Sequence, residues 1–241
     1  MKWSTFAIAS ALMLALFVFA QRRTTDVAQP AIGGVVDLTH SIQPRAHSRN
    51  DRSATSPENP PTRVAAPAEF VRGAWTVDEI PVGRLIAPLV VLDVRKSVEH
   101  DSDYQVGMSD LTAWEEANGP LPVGAVVVAR TGWSSRWYSP RQYRNEDANG
   151  VTHFPGFSVD AVKFLVDARK IVALGTDTPG VDPGSSQESL VRHFTASHQV
   201  YHLENIANLD KVPDCGATAV IAPAKLRGGS GAPVRMLALL K

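Results

Sequence analysis

A chain of 241 residues that is 44% hydrophobic and 20% charged is long enough to bury a sizeable core and reads as a soluble globular protein. With 24 basic and 24 acidic side chains its formal net charge is +0, which excludes a whole-chain attraction to nucleic acid or to an acidic surface. The single cysteine, Cys215, excludes an intramolecular disulfide and a cysteine-based zinc site, and reads as a small buried residue rather than a nucleophile.

The chain opens on a processing segment. Lys2 precedes an apolar run from Trp3 to Ala20, and Val18-Phe19-Ala20 stands where a cut ahead of Gln21 is expected. This pattern predicts a secretory signal peptide over 1–20. An uncleaved anchor is the alternative, because the run is near the minimum spanning length. The folded part is therefore expected to be exported, periplasmic or secreted, touching a membrane only through an uncleaved N-terminal segment. One cysteine means that it is held by its core rather than by disulfides. Residues 21–34 read as a linker, and one domain is expected over 35–241.

Gly34 to Thr39 predicts a short strand. Residues 41–66 are rich in Arg, Ser, Asn and Pro, a long irregular stretch for a compact domain. Leu85–Val94 predicts a buried strand with Pro88 near its start. A helix begins at Ser109-Asp110, repeats Leu111, Trp114 and Ala117 at helical spacing, and ends at Gly119. Ala125–Ala129 predicts another buried strand. Ser158 is expected to cap a second helix with Val162, Leu165 and Val166 on its inner face. Strands are expected over Ile171–Leu174, His198–Leu203, Ala217–Pro223 and Met236–Leu240. Gly228-Gly-Ser-Gly231 lacks the Lys-Ser/Thr of a phosphate loop and reads as a tight turn. Short strands outnumbering helices predict a single α/β or α+β domain.

Eight short motifs occur in order: Asp37-Leu-Thr-His40, Ala66-Pro67 followed by Phe70, Thr76-Val-Asp-Glu-Ile-Pro81, Arg130-Thr-Gly-Trp133, Phe154-Pro-Gly-Phe-Ser158, Gly175-Thr-Asp-Thr-Pro179, Glu204-Asn-Ile-Ala-Asn208 and Gly228-Gly-Ser-Gly231. Together they resemble the cyclase family, whose best-known members are bacterial kynurenine formamidases. The resemblance covers residues 36–240. It implies a swivelling β/β/α-type fold of the α/β class and a homo-oligomer, a dimer or tetramer. It also implies arylformamidase chemistry: hydrolysis of N-formylkynurenine, a step of tryptophan catabolism, or of a similar small amide. The family signature His-x-Gly-Thr-His-x-Asp-x-Pro-x-His-Phe suits Zn²⁺ or Mn²⁺. Such an ion lowers the pKa of bound water from about 15.7 to about 7, and the last His moves protons to the leaving amine. A later His and the Glu of Glu-Asn complete the family site.

Laid on that signature, the ligand positions are substituted. The first His falls on Asn59, the Gly on Pro61, the second His on Arg63, the Asp on Ala65 and the last His on Glu69. The later His falls on Arg192, with His193 beside it, and only Glu204 keeps its family identity. An arginine has no lone pair to give a cation.

The altered shell supports three expectations. One is a non-catalytic pseudoenzyme on the family fold, serving in binding or assembly. Another is a hydrolase with a rebuilt site. There Glu204 remains a metal ligand, Glu69 and His193 are the catalytic candidates, and His153, Trp133 and His202 line the substrate pocket. Glu58 and Glu69 could add oxygen ligands, although solvated surface is their first reading. His198 and His202, four apart, are expected on one face of a strand, where packing is the simpler role. Trp114 and Trp133 read first as core. The third is a local reading-frame slip over 45–64, which would leave such an unpatterned stretch but would not explain Arg192. No Gly-x-Ser-x-Gly elbow points to a serine hydrolase.

Overall fold

The structure, a computed structural model, describes residues 33–41 and 61–241. The expected signal peptide, the linker as far as residue 32, and the Glu58 and Asn59 positions lie outside the described residues. In chain order the strands are β1 (Gly34–Asp37), β2 (Arg63–Ala65), β3 (Ile86–Asp93), β4 (Gln105–Val106), β5 (Val126–Arg130), β6 (Gly156–Phe157), β7 (Ala173–Thr176), β8 (Tyr201–Glu204), β9 (Ala217–Pro223) and β10 (Gly231–Leu240). The α-helices are α1 (Arg95–Val98), α2 (Met108–Asn118), α3 (Pro140–Arg144), α4 (Val159–Asp167) and α5 (Leu190–Ser197).

β3, β5, β7 and β8 form a parallel run. β9 joins β3 antiparallel at one edge, and β2 joins β8 antiparallel at the other. β10 pairs with both β9 and β2, so the sheet closes into a seven-stranded, barrel-like ring, and β1 runs along the far end of β10. Closure leaves no edge among those seven strands for pairing with another chain. β4 and β6 pair separately. This is a single-domain α/β fold, and among the described residues no helix is long and apolar enough to cross a membrane.

The central strands read as unbroken apolar runs because both their faces are covered. Leu89, Val91, Val126, Val128 and Ala173 pack with Leu203, Met236 and Ala238 on the inner face of the ring. Val90, Leu92, Val127, Ala129 and Leu174 face outward onto Leu111 and Trp114 of α2 and Val162 and Leu165 of α4. α4 starts as expected, with Ser158 Oγ accepting from the Ala161 amide at 3.3 Å. α2 is pinned to the sheet by its Trp114 indole, which donates to the Val91 carbonyl at 3.0 Å.

Four expectations are corrected. His198 does not share a strand with His202: it caps the C-terminus of α5, and Gln199 turns the chain at φ 58° before β8 begins at Tyr201. The strand expected at Ile171 starts two residues later, because Lys170 takes a left-handed conformation at φ 48°. Cys215 is exposed rather than buried, with its thiol 3.4 Å from Asn118 Oδ1. The last strand is also longer than expected. It begins at Gly231, and Pro233 disguises an inward alternation of Ala232, Val234, Met236 and Ala238.

Candidate functional site

The carboxyl ends of β3, β5, β7 and β8 deliver Asp93, Arg130, Thr176-Asp177 and Glu204-Asn205 to one rim. This is the rim where open α/β sheets hold ligands. The register of β2 against β8 sets Arg63 opposite Glu204, Val64 opposite Leu203 and Ala65 opposite His202. Val64 enters the core, so strand alternation turns Arg63 to the other face.

Glu204 is 4% exposed and held by two guanidinium groups. Arg63 Nη1 donates to its Oε2 at 3.1 Å, and Arg192 Nη2 to its Oε1 at 3.5 Å. Arg63 also grips Glu69 through both terminal nitrogens, Nη2 to Oε2 at 2.5 Å and Nη1 to Oε1 at 3.2 Å. Such forked, charge-assisted bonds are geometrically specific. Glu69 is therefore not free surface: it is tied to Arg63. Arg192 lies 3.7 Å from Asp182 Oδ2 through Nε. Asp182 in turn accepts the Val191 and Arg192 amides at 2.8 and 3.2 Å, which satisfies the start of α5 from the loop that precedes it. Burial raises the Glu204 carboxyl above its ordinary range, and Arg192 and Arg63, which favour the charged form, offset that rise only in part.

The backbone makes room for the two arginines. A Cβ on Gly231 would stand 2.1 Å from Arg63 Nη2, and one on Gly180 would stand 1.7 Å from Arg192 Nη2. Neither glycine has a left-handed φ, so what each contributes is the space itself.

His202 is fully buried beside this cluster. Thr195 Oγ1 donates to the Val191 carbonyl at 2.7 Å, so its contact with His202 Nε2 at 2.5 Å is one in which the hydroxyl accepts from Nε2–H, and Nδ1 has no partner among the described residues. Burial, with Arg192 and Arg63 nearby, lowers the imidazole to about 3, so it is neutral at physiological pH. Phe70 fills the space between His202 and His193, with ring centroids 5.4 and 6.1 Å away, and Arg192 Cζ lies 5.7 Å from its centroid. Asn205, in a left-handed conformation, fixes the far side: its amide nitrogen donates to the Pro61 carbonyl and its Oδ1 accepts from the Tyr143 hydroxyl.

Arg63, Glu69, Arg192, Glu204, His202 and His193 are thus assembled at one place, and Ala65 lies beside them on β2. Trp133 and His153 are not part of this cluster. Trp133 is a core residue, its indole donating to the Tyr143 carbonyl at 2.8 Å. His153 sits in a surface ion pair with Asp103 at 2.7 Å, and that bond first, then the nearby charges, raise its pKa. Asp182 and Thr195 join the site without having been expected there. Asp182 carries a sequence signal, since it ends the run Asp177-Thr-Pro-Gly-Val-Asp182.

A divalent metal does not fit these donors. Among the described residues no three His, Cys, Asp or Glu side chains are grouped to hold one, and a cation set beside Glu204 would meet two guanidinium groups. A cleft of about 590 Å³ opens on the same rim, lined in part by His40, Ser134, Tyr138 and Asp177. His40 stacks on Trp137 with centroids 3.9 Å apart, and burial lowers its pKa to about 4. Below it, Asp177 is buried and accepts from the Thr131 amide and hydroxyl and the Ser134 amide.

The profile of the Cyclase family matches residues 36–183. An isatin hydrolase of Roseibium aggregatum is 35% identical over 76% of this chain and 72% of its own length. A kynurenine formamidase of Salinibacter ruber is 26% identical over 72% of each chain. Among solved structures, isatin hydrolase A from Ralstonia solanacearum superposes with a TM-score of 0.78 at 29% identity, covering 97% of both chains. Another, described as a potential metal-dependent hydrolase with cyclase activity, gives a TM-score of 0.64 at 23% identity, over 86% of this chain and 98% of its own, a likeness of fold alone. In fold, motif order and sequence, this chain belongs to the cyclase family of hydrolases.

Proposed function

We propose that this chain is a cyclase-family homologue that binds a small aromatic amide, or the acid it yields, without metal-assisted hydrolysis. The observation that carries the reading is the Arg63–Glu204–Arg192 cluster, which occupies the family's ligand positions with cations. A separate cleft on the same rim, lined by none of these three residues, has the size of a small-ligand site. Its lining includes His40 and the exposed Tyr138 ring, which offers a flat face to a planar ligand. The expected export of the mature protein belongs to the same proposal and argues against a role in cytoplasmic tryptophan catabolism.

The second reading is amide hydrolysis of the isatin hydrolase or arylformamidase type, with Zn²⁺ or Mn²⁺ in a rebuilt shell. Two observations favour it: the 35% identity to an isatin hydrolase and the retained, buried Glu204. One experiment separates the two. Isatin, isatinate and N-formylkynurenine are titrated against the purified protein by tryptophan fluorescence, and turnover is followed by absorbance with and without added Mn²⁺ or Zn²⁺. Binding without turnover supports the first reading. Turnover that a chelator abolishes establishes the second, and neither binding nor turnover sinks the ligand-binding proposal.

A further inference from the structure

We propose that Arg63 and Arg192 act together as a permanent internal dication, doing for the buried Glu204 what a bound divalent metal would do. This inference deepens the reading above and rests on it. Arg63 bridges Glu69 and Glu204, and Arg192 bridges Glu204 and Asp182, so two positive charges are threaded among three carboxylates. A carboxylate as buried as Glu204 requires a partner, because taking a lone charge out of water is costly. Arginine suits this role because it stays charged and its planar fork engages two carboxylates at once.

The pair also ties the fold together. Arg63 comes from β2, Glu69 from the short turn Pro67–Glu69, Arg192 from α5, Asp182 from the loop before α5, and Glu204 from β8. The bond between Arg63 and Glu204 spans 141 residues of sequence, and that between Arg192 and Asp182 runs from a helix to the loop that caps it. Gly180 and Gly231 leave the volumes that the two guanidinium groups fill. Both guanidinium groups thus occupy space that these two glycines leave open and are bonded to carboxylates within it. The arrangement also reaches the irregular stretch over 45–64. At its end Val64 is fully buried and paired with Leu203, and the Thr62 hydroxyl bonds to the Asn205 carbonyl at 2.6 Å. Thr62 and Val64 are thus integrated into the fold on either side of Arg63.

The test is thermal unfolding of four full-length mature proteins: wild type, Arg63→Met, Glu204→Gln, and Arg63→Met/Glu204→Gln. Each is measured with EDTA and again with Mn²⁺ or Zn²⁺. Arg63→Met strands a buried carboxylate and is expected to lower the midpoint by roughly 5–10 °C. The double variant removes that charge and is expected to recover at least half of the loss. An Arg63→Met chain too unstable to purify, beside a double variant that folds, is the same result. Neither EDTA nor added metal is expected to move the wild-type midpoint. The proposal is overturned if Arg63→Met unfolds with the wild type, if the double variant is no better than Arg63→Met, or if metal raises the wild-type midpoint. Metal-dependent turnover in the absorbance assay would end the binding reading without touching the rescue. An absent rescue would end this inference while leaving ligand binding intact.

Discussion

Gly231→Ala isolates how firmly Arg63 is held. The added methyl would lie 2.1 Å from Arg63 Nη2, 3.1 Å from its Cζ and 3.1 Å from Glu69 Oε2. A free arginine tip would swing aside at almost no cost. This one donates to both Glu69 and Glu204, so the methyl must break those bonds or push β10 away from β2, which it pairs through Ala65. Overpacking of this kind costs about 1–3 kcal/mol. About 2 kcal/mol corresponds to a fall in Tm of about 4–8 °C for a chain of this size. In an Arg63→Ala background the two closest obstructing atoms are gone and Glu69, no longer tied to Arg63, can move aside, so alanine's lower backbone entropy makes the same change neutral or stabilising by about 0.5 kcal/mol. A double-mutant cycle read by chemical denaturation should thus return a coupling of about 2 kcal/mol. Equal effects of Gly231→Ala in the two backgrounds, or no effect in the wild type, would refute the claim that the guanidinium is pinned.

Gly180→Ala should behave in the same way toward Arg192, losing about 2 kcal/mol alone and little in an Arg192→Ala background. Thr195→Val removes the hydroxyl that hydrogen-bonds His202 Nε2 in a fully buried site, and equilibrium unfolding should register a loss of about 1–3 kcal/mol. His153 should titrate above 6.5 by NMR and fall back when Asp103 becomes Asn, since that bond is the first cause of its raised pKa. A raised histidine stabilises the fold fully below its unfolded value of 6.5 and loses that contribution as pH climbs through its folded value. The Asp103→Asn variant should therefore lose less stability than the wild type on going from pH 6 to pH 8. A flat difference would show that the pair contributes nothing.

The frame of this fold is legible because its central strands are apolar on both faces and its helices carry local start and stop signals. Ser158 caps α4 by its own hydroxyl, and Gly119 ends α2 at φ 83°. α5 escapes sequence reading for a physical reason. Ser189 at its start is left-handed and makes no side-chain cap, and the cap comes instead from Asp182. Without that helix, His198 reads as part of the following strand. β2 escapes because three residues between prolines carry no periodicity; only its pairing with β8 and β10 defines it.

The candidate site is half legible. Family motifs locate Arg63, Glu69, Arg192 and Glu204, and the chemistry of arginine tells against a metal there. That the same arginines pair with the retained carboxylate is hidden from sequence, because those contacts join residues far apart along the chain. Glu69 carries no sign of its direction until the register of β2 turns Arg63 toward it. Neighbouring motifs draw His153 and Trp133 toward the pocket, whereas their contacts place one in a surface ion pair and the other in the core.

The most direct measurement is the metal content of the purified mature protein after growth with added Mn²⁺ and Zn²⁺, by elemental analysis beside a Glu204→Ala control. With two guanidinium groups already neutralising Glu204, both proteins should carry near-zero metal. A content near one ion per chain in the wild type, lost in the control, would contradict the account and restore a metal-dependent hydrolase.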